Sequence, residues 1–98
     1  MATEPSPAVV EITEEQVKSA FARHWNVIVW NDPVNLMSYV VVVFMKVLGF
    51  NREMAIRHMR EVHEKGKSVV AKETREKAEF YQQSIQAHGL MVTIERVD

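Results

Sequence analysis

The chain has 98 residues, 47% of them apolar and 26% charged, with a net charge of −1. This is the composition of one ordinary globular domain, with no overall field to draw in nucleic acid or an anionic membrane. It contains no cysteine, which excludes thiol catalysis, disulfides and thiolate metal sites.

The start, Met1 to Pro7, has neither a basic nor an apolar block, so no secretory pattern is visible and the cytoplasm is the expected compartment. The longest apolar run, Tyr39 to Met45, is too short to span a bilayer and closes at Lys46. Residues 1–12 carry two prolines and no period, which predicts a disordered arm. Thr13-Glu14-Glu15-Gln16 fits a capping box with Val17, Ala20 and Phe21 on one face. A helix this short is marginal in water, so residues 1–23 are read as a flexible extension and residues 24–98 as the folded domain.

Trp25 to Trp30 is rich in β-branched and aromatic residues and is closed by Asn31-Asp32-Pro33, which predicts a strand and a turn. Leu36 to Leu48 would score as strand through its run of four valines. Its length, the expected Asn35 cap and the closing Gly49 argue for a helix instead. Apolar residues nearly all round predict deep burial for it. Asn51 caps a second helix, Arg52 to Lys65, with Ala55, Met59 and Val62 on one stripe and Gly66 at its end. Ser68 to Ala71 is a short strand expected at a sheet edge. Thr74 caps a third helix that runs to His88 and stops at Gly89, and Leu90 to Val97 alternates as a half-buried strand. All three glycines fall just past a predicted helix, as capping physics favours. The order β-α-α-β-α-β predicts an α+β two-layer sandwich, three helices on a three-stranded sheet.

Asn31 and Asp32 sit at a strand-to-helix junction, where flanking elements hold a loop rigid enough for binding or chemistry. The same residues are also plain turn formers. His63 shares the apolar stripe of Met59 and Val62 and fits a satisfied core histidine equally well. His58 and His63 are five apart and off a common face, with no metal-ligand spacing. A hydrolase would join Asp32 and His63 to Ser38 or Ser68, and neither serine stands in a nucleophile-elbow context. The basic residues from Arg52 to Lys77 alternate with Glu53, Glu61, Glu64, Glu73 and Glu76, which describes a solvated mixed face rather than a nucleic-acid patch.

Three segments, taken together, resemble a family. Trp30-Asn31-Asp32 with Met37 and Val40, then Met59-x-x-Val62-His63-x-x-Gly66-Lys67, then Gly89-Leu90, are similar to ClpS, the adaptor that feeds N-degron substrates to a Clp protease. The likeness runs from Val27 to Glu95. It implies a non-catalytic, cofactor-free protein with a pocket for the first residue of a substrate polypeptide. By that resemblance Asn31, Asp32 and His63 grip the free α-amino group. Met37, Val40, Met59, Val62 and Leu90 line the cavity for a Phe, Tyr, Trp or Leu side chain. Physical chemistry agrees with the grouping: an ammonium offers three donors and one positive charge, which an amide carbonyl, a carboxylate and a neutral imidazole nitrogen satisfy.

The resemblance further implies that the N-terminal domain of a ClpA- or ClpC-type unfoldase docks near the third helix, where Glu76 matches a contact position. Tyr81 stands where the family has a basic contact. Pro33, Asn35 and Leu36 also depart from the usual pattern, at the pocket rim. The N-terminal arm resembles an extension that takes part in substrate hand-over. The C-terminal domain of the bacterial ribosomal stalk protein has the same element order and a pure docking role, which needs none of the three acceptors. An amidase acting on amino-terminal residues is a third reading.

Overall fold

The structure, a computed structural model, is described for residues 11–97. The disordered arm expected over residues 1–12 therefore lies outside the described residues, except for its last two. The next segment is helical. In α1 (Glu14–Phe21) the expected capping box closes: Thr13 N donates to Gln16 Oε1 at 2.9 Å and Gln16 N to Thr13 Oγ1 at 3.1 Å. This adds a fourth helix to the three expected.

The core domain follows as β1 (Trp25–Trp30), α2 (Met37–Leu48), α3 (Arg52–Lys65), β2 (Lys67–Glu73), α4 (Arg75–Ala87) and β3 (Met91–Arg96). The sheet order is β2-β1-β3, antiparallel throughout. The central place of β1 explains its unbroken apolar run: Val27, Ile28 and Val29 are all buried. Val27 and Val29 join the main core, while Ile28 points to the opposite face. On that face Trp30 Nε1 donates to Thr93 Oγ1 at 2.8 Å, tying β1 to β3. The edge position expected for β2 holds, and the strand is longer than Ser68 to Ala71 because it pairs with the whole of β1 across a bulge at Val27/Ile28.

Helix α4 lies against all three strands, α3 packs on β2, and α2 bridges α3 and α4. Phe44, Ile85, Val27 and Val29 are the largest apolar side chains at the centre. Caps set the helix limits largely as expected. Met54 N donates to Asn51 Oδ1 at 2.8 Å and Lys77 N to Thr74 Oγ1 at 3.3 Å, while α4 ends one residue earlier than expected, at Ala87.

Two expectations for α2 fail. Its N-cap is Leu36, with no side-chain cap, and Asn35 is drawn away to partners described below. Nor is the helix deeply buried: Val40, Val43 and Phe44 face inward, but Val42 is 56% exposed, Met37 47% and Met45 39%. A helix that packs on two other helices in so small a domain has nothing left to cover its outer side.

Candidate functional site

One cleft opens where the end of β1, the start of α2 and the last turns of α3 meet. Asn31, Asp32 and His63 stand on its lining with Met37, Val40, Met59, Val62 and Leu90. All eight candidate pocket residues are therefore brought together, although they come from four places in the chain. The cleft comprises about 330 Å³ including its open mouth, but the enclosed space is only about 20 Å³, so its side-chain walls stand nearly closed. Val40, Val62 and Leu90 are buried and form its floor, while Met37 stands half-exposed. His63 is exposed, not a core histidine, so the alternative reading of this residue fails. The side chains of Asn31 and His63 have no hydrogen-bond partner among the described residues, which leaves their acceptors available.

Asp32 is held in place without being used up. Its Oδ1 accepts from Val34 N at 2.8 Å, an Asx turn that shapes the loop after β1. Its Oδ2 accepts from Asn35 Nδ2 at 3.3 Å. A carboxylate has about four lone-pair sites, so it retains capacity for a ligand. Asn35 Nδ2 also donates to Gly89 O at 3.0 Å, joining this loop to the residue before Leu90. Tyr39 supports the same junction, its hydroxyl donating to His88 O at 2.7 Å. On the other side Asn31 N donates to Gly66 O at 2.9 Å. Gly66 adopts φ +89° to close α3, a conformation that costs an L side chain about 1–2 kcal/mol.

The second histidine of α3 lies in a different environment. His58 stacks on Phe50 with ring centroids 5.0 Å apart. Its Nδ1 is 2.7 Å from Ser68 Oγ, and Ser68 Oγ donates to Glu61 Oε1 at 2.5 Å. Burial lowers the His58 pKa from its ordinary value; the Glu61 carboxylate opposes that shift and the Arg57 guanidinium adds to it. Ser68 is buried, and its hydroxyl is held by the acid rather than activated by an imidazole. Neither it nor Ser38 lines the cleft, so the hydrolase constellation does not assemble. Among the described residues no cluster of three His, Cys, Asp or Glu could hold a metal ion.

Val29 and Tyr39 are part of this site or its frame and carry no local signal of it in the sequence, whereas Trp30 stands in the motif and Asn35 at the expected pocket rim. The tether made by Asn35 is signalled only by Asp-x-x-Asn across a proline turn. The link from Tyr39 to His88 crosses 49 positions and leaves no local trace.

The family model for the ATP-dependent Clp protease adaptor protein ClpS matches residues 21–93. The chain belongs to the ClpS family. The ClpS protein of Nocardia farcinica is 40% identical over 97 residues, covering 99% of this chain and 90% of that protein. The one from Mycobacterium bovis is 45% identical over 74 residues, 76% of this chain and 73% of its own. Among solved structures, Agrobacterium tumefaciens ClpS2 bound to L-phenylalaninamide is similar with a TM-score of 0.73 and 26% identity, over 76% of this chain and 96% of that one. As a ClpS protein, this chain is an adaptor of the Clp protease machinery. Among the described residues no helix is long and apolar enough to cross a membrane.

The unfoldase-contact candidate, Glu76, is exposed in the first turn of α4, away from the cleft. Phe80 lies one helical turn further on and is 61% exposed, and Tyr81 packs against the core with Lys77 over its ring.

Proposed function

We propose that the cleft binds the free α-amino group and large apolar first side chain of N-degron polypeptides, and that the protein hands them to a ClpA- or ClpC-type unfoldase for degradation by ClpP. What carries this reading is the juxtaposition of acceptors and floor: Asn31, Asp32 and His63 beside a floor of Val40, Val62 and Leu90. An α-ammonium is by construction one Cα from its side chain. A host for both must place polar acceptors and an apolar cavity within the same few ångströms. Asp32 supplies the charge, and the Asn31 carbonyl and a neutral His63 nitrogen the remaining acceptors. Phe, Tyr, Trp and Leu reach the floor when Met37 and Met59, flexible walls that adjust to different shapes, swing aside to widen the narrow cleft. The phenylalaninamide bound to the Agrobacterium relative is a ligand of this kind, a free amine on an aromatic residue. In this reading residues 24–98 are the adaptor domain, the segment before them assists hand-over, and Glu76 touches the unfoldase.

The test is a set of fluorescent peptides that differ only in their first residue. Phe, Tyr, Trp and Leu should bind, and Ser, Lys and Glu should not. Equal binding of Ser- and Phe-initiated peptides would contradict the proposal.

A further inference from the structure

The outer side of α2 forms a second depression with α3. Val41, Val42, Met45 and Ile56 line an open groove of about 490 Å³. Val42 and Met45 are among the exposed large apolar side chains of the molecule. Met59 lines both this groove and the first-residue cleft, so the two are neighbours with the Met59 side chain between them. The connection between α2 and α3 is only three residues, 49–51, so the helices run back alongside one another. Ser38, Met59 and Arg60 therefore lie at the end next to the cleft, and Met45 and Arg52 at the far end. From Ser38 to Met45 the helix rises about 10 Å, which an extended peptide covers with about three residues.

Charge points to the occupant. Arg52 and Arg60 line the groove, and neither has a carboxylate partner among the described residues. By contrast Arg23, Lys65 and Arg75 each sit in an ion pair. The groove is thus apolar along its length, with one unpaired guanidinium at each end, and it starts at the wall of the cleft. A polypeptide whose first residue fills the cleft continues from the gripped end of the site, and the groove is the apolar surface next to it on the Met59 side.

We propose that the α2–α3 groove receives the segment of the substrate polypeptide a few residues beyond its first, favouring apolar side chains accompanied by Asp or Glu. This rests on the reading of the cleft as a first-residue site and extends it to the following chain. The consequence is a second layer of selection: among polypeptides with the same first residue, an acidic-apolar segment is preferred over a basic one.

The experiment compares Phe-initiated peptides that share their second residue and differ at positions three to six, built from Glu and Leu, from Ser and Gly, or from Lys and Ser. L-phenylalaninamide serves as competitor and minimal ligand. Two exposed ion pairs plus partial apolar burial should make the Glu-Leu peptide bind about three- to tenfold more tightly than the Ser-Gly peptide, with the Lys-Ser peptide weakest. Raising the salt from about 50 to 300 mM should shrink that spread. In the R52E/R60E variant the order of the charged peptides should reverse, and in Val42→Ser the gain from Leu should fall. Phenylalaninamide should compete equally in wild type and variants, which also shows that the variants are folded. If phenylalaninamide fails to bind wild type, the first-residue reading itself is wrong. If it binds and all three peptides bind alike, only the present inference is overturned. The same holds if Val42→Ser shifts the protein from dimer to monomer in light scattering without touching peptide selectivity, because the groove then belongs to a second copy.

Discussion

Asp32 holds its own loop through Val34 and Asn35 and still lines the cleft. Replacing it tests both roles. Asp32→Ala should weaken Phe- and Leu-initiated peptides equally, by at least about 1.5 kcal/mol, because the lost partner meets the amine and not the side chain. Asp32→Asn keeps an oxygen for Val34 N–H and loses the charge together with the long acceptor contact to Asn35 Nδ2. A comparable affinity loss with unchanged thermal stability would assign the effect to charge. His63 is tested by removing its acceptor: His63→Ala should weaken Phe- and Leu-initiated peptides alike, since the ring nitrogen meets the amine and not the side chain. Unchanged affinity in the variant would remove His63 from the site. Met37, the first residue of α2, stands half-exposed on the cleft wall. Bulk at a substrate Cβ meets that wall next to the gripped amine, so Ile and Val should be rejected although they are as apolar as Leu. Titration of Leu-, Ile- and Val-initiated peptides should show Met37→Ala admitting the branched residues. At this scale residue type suited to one ligand chemistry grouped Asn31, Asp32 and His63 in the sequence, and the structure puts all three on one cleft. Residue type misled at Asn35, because a cap and a loop tether use the same amide and only the fold decides between them.

Secondary structure was legible because each element carries its own punctuation. Asn51 and Thr74 cap their helices as their positions suggest, and the β1 run is apolar because it is central. The valines of α2 were correctly assigned to a helix, yet its burial was misjudged. Composition reports how apolar a helix is, but the number of layers around it decides how much is covered. The seam between α3 and β2 carries a pH effect. The His58 pKa is lowered by burial, so the unfolded chain binds a proton there more readily than the folded one. Stability from this group is therefore intact above about pH 6.5 and is lost as the pH falls below it. His58→Gln should remove that part of the pH dependence in thermal unfolding while leaving peptide affinity unchanged. Gly66 ties the same seam to the site, since its carbonyl holds Asn31 N–H while its φ is positive. Gly66→Ala should lower stability by about 1–2 kcal/mol and weaken peptide binding as well. Loss of stability alone would separate the helix cap from the cleft.

Taken whole, the molecule separates two surfaces. The cleft and its groove lie along α2 and α3, while Glu76 and the exposed Phe80 lie on α4. In the proposed hand-over such a division lets one partner be held while the other is engaged. Glu76→Lys should leave peptide affinity unchanged and reduce unfoldase-dependent degradation of a Phe-initiated reporter. In the proposed function the cleft reads a free amine, and one fluorescence titration of a Phe-initiated peptide and its N-acetylated twin decides whether it does. Acetylation removes the positive charge, leaves a single N–H donor and abandons Asp32 without its partner, so binding should weaken by at least about a hundredfold. Equal affinity for the two peptides would contradict the account.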